Sequence, residues 1–496
     1  MGLCDRNVSF EDCELAILRL AVDKAGKRKG KKMVDTPEIA EIVDIVETFL
    51  RKRKRVCYGG TAINNILPRD AQFYDKSVEL PDYDFFSPQA LEDAKDLADI
   101  YYAKGFKEVE AKAGVHAGTF KVFVNFIPVA DITSLVPELY RALLKRAVTV
   151  AGIKYCPPNY LRMLMFLELS RPHGDLSRWE KVAKRITLLN KHYPLRGRQC
   201  NYVEIQRLFD PQEKLSSDLE KKIFYITRDS FIDQGLVFFG AMADNLYVKY
   251  LKKFKHHQFK KIPDFDVLAE DPQHAATILR EQLRNAGIGG ITVRKKKGVG
   301  DIIAPHYEIM VDGETIAFIY EPLACHSYNT IRIKGRKVNI ATIDTMLSFY
   351  LAFMYVDRPY YDRNRVICMA QYLFRVQQEH RLKQKGLLQR FSINCYGKQL
   401  TLEKMRKKKT EKFKELHNKR GSKEWEWYFL KYRPEDLRKG KRQKGKKSSS
   451  RHRRKRSPRR HTKRSKSKRH KRRSKHKRRS KRKTRRAKTF LAQLGL

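Results

Sequence analysis

Two aspartates two positions apart, Asp82 and Asp84, lie in the stretch Val78–Phe86, whose alternation reads as a β-strand. Side chains two apart on a strand share a face, so both carboxylates point one way. Tyr83 and Phe85 then point the other way, into a core. Two carboxylates side by side repel each other unless a cation lies between them. Mg²⁺ suits such a place, because it takes a few carboxylates and leaves room for water and substrate phosphates. Asp131, after the apolar run Phe126-Ile-Pro-Val-Ala, is the candidate third ligand at the mouth of a cleft. Phosphoryl chemistry uses this set: two metals clamp the attacking and leaving oxygens of an in-line displacement. Asp82 and Asp84 would touch both ions, and Asp131 the one that activates the attacking hydroxyl.

Phosphates also need a cradle. Tyr58-Gly59-Gly60-Thr61 follows a short apolar strand and opens the expected helix Ala62–Leu67. Glycine lets backbone approach a phosphate closely, and a helix N-terminus offers free N–H groups and the positive end of a dipole. Thr61 would add a hydroxyl contact. Taken singly these features are bland: Asp-x-Asp pairs often lie on ordinary surfaces, Gly-Gly is usually a turn, and a strand-end Asp is usually a cap. Their order within about 75 residues is much rarer.

The elements that hold these residues occur twice. Val56–Thr61 is echoed by Val237–Met242, and Leu80–Phe85 by Ile262–Val267. A helix-spaced segment follows each carboxylate pair (Pro88–Gly105, Pro272–Gly287), then alternating strands (Thr119–Thr133, His306–Glu321). Later, Pro158–Pro172 and Ile343–Pro359 both read as aliphatic and aromatic helices ending in Arg-Pro. Ordered matches at a near-constant offset imply a duplicated unit. Each copy should be a small mixed sheet with helices packed behind it, an α+β or α/β lobe. The expected division is an N-terminal extension at 1–34, lobes at 35–215 and 216–386, a helical and aromatic segment at 387–437, and a basic tail at 438–496.

The 496 residues are 41% hydrophobic, enough for real cores, yet carry a net charge of +52. Thirty-two Lys and Arg fall between Arg438 and Lys488 with no Asp or Glu among them, so the preceding chain is itself basic. Charge of this size calls for a polyanion, nucleic acid before an anionic membrane surface. The tail cannot bury enough apolar surface to order itself and is expected to be disordered, as a tether for nucleic acid, an import signal or a phosphorylation target. The eight cysteines are scattered, without a CxxC or a Cys/His pattern, so neither zinc nor disulfides are expected. No apolar run approaches the ~20 residues of a membrane span, and the chain reads as soluble and intracellular. Trp425, Trp427, Tyr428 and Phe429 read as a docking patch before a base-stacking one.

The signature hydrophobic-Gly-Gly, Asp-aromatic-Asp, distal Asp resembles that of the DNA-polymerase-β-like nucleotidyltransferases. Longer stretches resemble the poly(A) polymerase catalytic subunits of large nucleocytoplasmic DNA viruses, especially the mimivirus type. They are Tyr58-Gly-Gly-Thr-Ala-Ile-Asn-Asn, Leu80-Pro-Asp-Tyr-Asp-Phe-Phe-Ser, Gly118–Thr133 and Tyr160–Asp175. The resemblance spans about residues 35–390. It implies two tandem nucleotidyltransferase-like lobes, the second degenerate, with Mg²⁺ or Mn²⁺ as cofactor and ATP as donor. It also implies an RNA 3′ end as acceptor and no template. Either a homodimer or a processivity or cap-methyltransferase subunit would accompany it. The expected setting is the host cytoplasm at a viral factory, with packaging in the virion and nuclear import left open.

Under this resemblance Gly59, Gly60, Thr61, Lys154 and Tyr160 are candidate nucleotide contacts. Tyr160 or Tyr155 would stack on adenine, and Lys145, Arg146 and Arg171 are further phosphate candidates. The second lobe keeps Asp264 and Asp266, with Glu321 as candidate third carboxylate, but replaces Gly-Gly by Gly240-Ala241-Met242. It is therefore expected to be structural. The rival readings are another terminal nucleotidyltransferase (uridylyl-, CCA-adding or oligoadenylate-forming) and a non-catalytic RNA-binding scaffold.

Overall fold

A computed structural model describes residues 36–75, 79–198, 200, 217–251 and 264–436, with scattered positions between 10 and 25. The expected disorder of 438–496 lies outside the described residues.

The first lobe begins with α1 (Pro37–Arg53). Thr36 caps it, Pro37 occupies its first turn, and Arg51, Lys52 and Arg53 lie at the negative end of its dipole. Then follow β1 (Val56–Cys57), α2 (Gly59–Ile66), β2 (Tyr83–Ser87), α3 (Ala90–Ala103), β3 (Val109–Ala113), β4 (Thr119–Val124) and β5 (Ile127–Ser134). The lobe continues through α4 (Pro137–Arg146), β6 (Val148–Val150), β7 (Ile153–Tyr155), α5 (Pro158–Leu169) and α6 (Trp179–His192). The second lobe runs through α7 (Ser217–Asp233), β8 (Val237–Phe239), α8 (Gly240–Val248), β9 (Phe265–Leu268), α9 (Pro272–Asn285), β10 (Ile291–Lys296), β11 (His306–Val311) and β12 (Glu314–Tyr320). β13 (His326–Ile333), β14 (Arg336–Ala341), α10 (Ile343–Phe353) and α11 (Arg363–Glu379) complete it.

The duplication is visible in the sheets. The first has strand order β3-β4-β5-β2-β1-β7-β6, and the second β10-β11-β12-β9-β8-β14-β13. Each step has the same sense: β2–β5 and β9–β12 are parallel, as are β1–β7 and β8–β14. Even the irregularity is repeated, with register shifts at Val122/Phe123 and at Ile309/Met310. These are mixed α+β lobes, as the pattern of repeats implied.

Residues after 386 do not stand apart from the lobes. β15 (Cys395–Tyr396) pairs with β13, so it extends the second sheet. After α12 (Leu402–Leu416) and α13 (Lys423–Phe429), β16 (Lys431–Tyr432) pairs with β3 and extends the first sheet. The aromatic patch docks there: Trp427 lies edge-on to Phe120 at 5.7 Å, and Glu426 accepts a bond from Lys95.

The lobes meet along α5 and α10, the two repeated helices. Tyr160 and Tyr355 pack edge to face at 5.1 Å, and Arg358 pairs with Glu138 at 3.0 Å. Ser327 donates its backbone N–H to the Ser170 carbonyl. The expectation of unpaired cysteines is overturned: Cys200 pairs with Cys368, and Cys325 with Cys395. The partners are 168 and 70 residues apart, so no local spacing announced them. Among the described residues no helix is long and apolar enough to cross a membrane.

Candidate active site

β2 starts one residue later than Asp82, so Asp82 stands at its exposed mouth and Asp84 lies half-buried within it. Tyr83 and Phe85 are buried on the opposite face, as the alternation requires. Tyr83 donates to Glu47 at 2.6 Å, which anchors that face to α1. Asp131 is not at a strand end; it lies inside β5, directly opposite Asp84 across a parallel pair. The register brings three carboxylates to one face of two adjacent strands.

The turn before α2 is shaped around Asp84. Gly59 has φ +75°, and a Cβ there would stand 2.3 Å from an Asp84 carboxylate oxygen. The Tyr58 N–H donates to the Asp84 carbonyl at 2.9 Å, fixing the turn to the strand. Tyr58 stacks on Phe86 with centroids 4.0 Å apart, and its hydroxyl meets that of Thr133. Gly60 faces a different group: a Cβ there would crowd the Tyr74 hydroxyl and the Arg185 guanidinium.

Electrostatics follow from this crowding. Loss of hydration, then Asp82 and Asp131, push the Asp84 carboxyl up to about 7. Asp82 is also raised, by loss of hydration and by Asp131. Lys121, opposite Asp131 on β4, donates to one oxygen of Asp131. The other oxygen is buried without a hydrogen-bond partner. A buried carboxylate oxygen left unsatisfied costs free energy, and a divalent cation would satisfy it and relieve the repulsion. The three carboxylates therefore fit a cation site. Their oxygens do not all lie within 4.8 Å of one another, and two ions ~3.5–4 Å apart need such a spread.

Several sequence expectations need correction. Thr61 donates its hydroxyl to the Asp82 carbonyl at 2.7 Å, so it holds the Asp82 backbone instead of offering that proton to a phosphate. Tyr160 is 1% exposed and packed edge-on against Phe86, so it is core and not a base platform. Tyr155 is buried too, with its hydroxyl accepting from Asn65. Lys154 is on β7, where its ammonium donates to Thr149 on neighbouring β6; no contact ties it to the carboxylates. Arg146 binds the Met354 carbonyl and covers the Tyr355 ring, which makes it part of the lobe interface.

The cations that do face the site come from α6 and the turn before it. Arg178, Lys181 and Arg185 fall at i, i+3 and i+7, one helical face. Arg178 stabilises the Asp84 carboxylate through space. Arg185 donates to Tyr74 beside Gly60. Lys181 has its pKa lowered by loss of hydration and by these two arginines. The spacing was available in the sequence; the helix's position over the Gly-Gly turn was not. A cavity of about 340 Å³ lies on the other face of β2, lined by Glu47, Thr61, Asn64, Tyr74 and Tyr83, and contains none of the three aspartates.

The second lobe repeats the frame without its chemistry. Gly240 has φ +72°, and a Cβ there would stand 2.0 Å from an Asp266 oxygen, as at Gly59. Asp264 and Asp266 are both buried. In the third place, opposite Asp266, stands Phe318 and not Glu321, which comes after β12 and is exposed. Opposite Phe318, where the first lobe has Lys121, is Glu308. A fully buried phenyl ring cannot complete a metal site.

Two sheets of this order, one carrying Gly-Gly, Asp-x-Asp and a distal Asp on adjacent strands, define a nucleotidyltransferase-type protein with one complete and one degenerate lobe. Within that class the first lobe carries the pattern of the poly(A) polymerase catalytic subunit family, whose model matches residues 44–175. A protein of Acanthamoeba polyphaga mimivirus, assigned as a poly(A) polymerase catalytic subunit, is 28% identical over 222 residues. That match covers 44% of this chain and 37% of the relative. A protein of African swine fever virus (strain Badajoz 1971 Vero-adapted), assigned likewise, is 33% identical over 171 residues, covering 33% of this chain and 36% of the relative. These matches span little more than a third of each curated relative. The crystal structure of the Megavirus polyadenylate synthase superposes with a TM-score of 0.72 over 91% of both chains at 19% identity, which establishes the shared fold.

Proposed function

We propose that this chain is a template-independent polynucleotide adenylyltransferase that adds AMP from ATP to RNA 3′ ends. The observation that carries this reading is the meeting of Asp82, Asp84 and Asp131 beside the left-handed Gly59 turn, with one buried Asp131 oxygen lacking a partner. With Mg²⁺ or Mn²⁺ bound, Asp82 and Asp84 would hold both ions and Asp131 one, and the ions supply charge neutralisation at the 3′-hydroxyl and the triphosphate.

The protein's own residues do the rest. The free N–H groups of α2 face the donor phosphates, at a turn kept narrow by glycine. Arg178, Lys181 and Arg185 balance triphosphate charge from the opposite wall. Thr61 fixes Asp82 through its carbonyl, and Tyr58 fixes Asp84 through its own. Lys121 keeps Asp131 oriented. The second lobe serves as scaffold and RNA-facing support. The choice of adenine and the RNA acceptor rest on the family pattern of the first lobe; a homodimer or a processivity partner belongs to the same proposal. The strongly basic stretch 438–496 would hold the RNA near the cleft.

The test is primer extension on a labelled short RNA with each ribonucleotide separately, for the parent and for Asp82→Ala/Asp84→Ala. Long products with ATP alone, absent in the double variant, are expected. Extension with UTP or CTP instead would overturn the substrate but not the site. Activity surviving in the double variant would overturn the site.

A further inference from the structure

Far from the aspartates along the chain, three soft donors converge. A ring nitrogen of His173 and the sulfurs of Cys325 and Cys395 all lie within 4.8 Å of one another. Among the described residues this is the one group of three His, Cys, Asp or Glu so gathered. Each donor comes from a different part of the fold. His173 is in the tight turn after α5, closed by the bond from Gly174 N–H to the Arg171 carbonyl. Cys325 is buried in the connection leading into β13. Cys395 is in β15, paired with Ser327 on β13.

The backbone beside each donor is pinned. Ser327 N–H donates to Ser170, joining the first-lobe turn to β13. Tyr328 N–H donates to Asn394, and Ser392 to the Tyr328 carbonyl, joining β13 to the approach to β15. The donors thus sit on a frame that does not depend on any bond between them.

Cys325 and Cys395 are also within disulfide reach, with Cα atoms 5.1 Å apart. The second pair, Cys200 and Cys368, has similar spacing at 5.3 Å, but no third donor gathers with it among the described residues. A disulfide alone leaves the place of His173 without a purpose. Thiolate and imidazole together are the ligands of zinc, with Zn–S about 2.3 Å and Zn–N about 2.0–2.1 Å, which puts tetrahedral donors ~3.8 Å or less apart. The 4.8 Å envelope closes onto that geometry with small side-chain shifts.

We propose that His173, Cys325 and Cys395 bind one Zn²⁺ that clasps the first lobe, the second lobe and the β15 segment. The reaction is a ligand exchange without redox change. Two thiols lose their protons to solvent, two Zn–S bonds and one Zn–N bond form, and water fills the fourth position. The resulting Zn–dithiolate–imidazole unit is neutral, which suits a partly buried place.

The test uses the full chain, purified with reductant from zinc-supplemented medium and dialysed. Metal content is measured by mass spectrometry, and cysteine reactivity by maleimide labelling with and without chelator. One zinc per chain is expected. Cys325→Ser/Cys395→Ser should lose it, and His173→Ala should bind more than about tenfold more weakly, at least the loss that outer-shell changes cause elsewhere. Labelling of Cys325 and Cys395 should rise on chelation without further reductant, while that of Cys57 and Cys156 stays constant. Asp82→Ala/Asp84→Ala should retain the zinc, which separates this proposal from the catalytic one. Absence of zinc, or zinc unchanged in the double cysteine variant, would overturn it. So would thiols that become reactive only on reduction, since that describes a disulfide alone.

Discussion

Gly59 and Asp84 compete for one small volume. Adding a methyl at Gly59 brings it within 2.3 Å of the carboxylate and puts an L side chain at φ +75°. Gly59→Ala should therefore displace Asp84 and cut kcat in primer extension more than about 100-fold, the scale of loss that ~1 Å misplacement produces. Gly60→Ala meets only the flexible ends of Tyr74 and Arg185, so its loss should be smaller and fall on KM. Asp84 makes a second prediction. Its folded-state pKa is raised to about 7 from 3.8. Its contribution to stability is thus full at acid pH below 3.8 and is lost as pH rises through about 7. With chelator present, Asp84→Asn should melt several degrees above the parent at pH 8, with the difference shrinking toward pH 5. Mg²⁺ or Mn²⁺ should raise the melting temperature of the parent and not of the variant.

At the scale of elements, α6 is the part to test. Replacing Arg178 and Arg185 by Gln should raise the KM for nucleotide about tenfold or more and leave the RNA KM nearly unchanged, since each charge-assisted bond contributes ~1.5–3 kcal/mol. Equal effects on both KM values would remove α6 from the donor side. The same scale shows what a sequence can carry. Asp82, Asp84 and the Gly59 turn were readable because strand alternation and a Gly-Gly before a helix are local patterns. Asp131 was readable as a residue but not in its place, because strand ends shift with neighbours. Phe318 opposite Asp266 follows only from register between β9 and β12, which no spacing encodes. Tyr160 misled because an aromatic at a helix start reads alike whether it faces a ligand or another lobe. The His173–Cys325–Cys395 group was hidden for the same reason as the Cys200–Cys368 pair: its members are brought together only by the joining of lobes.

At the scale of the molecule, the two lobes are held by matched helices and by a returning chain. Trp427 fills the space left by Gly118, where a Cβ would stand 2.8 Å from its ring. Trp427→Ala should destabilise the protein by about 2–3 kcal/mol in denaturant melts, below the ~3–5 kcal/mol of a fully buried Trp. Because the strand it anchors is remote from the aspartates, activity per folded molecule should be unchanged at low temperature and fall early on heating. A fall in activity at all temperatures would mean that the sheet edge communicates with the site.

The pairing of β16 with β3 has an implication for how the protein is made. Residues 431 and 432 close a sheet whose other strands are all complete by residue 155. While the intervening chain is still being synthesised, the edge of β3 offers unpaired backbone groups to any extended strand nearby. The first lobe must therefore wait, half finished, through the synthesis of the second. A nascent chain halted between the lobes would carry the aspartates on a sheet with an open edge, exposed to aggregation and to proteolysis, so a finished catalytic lobe and a finished chain arrive together.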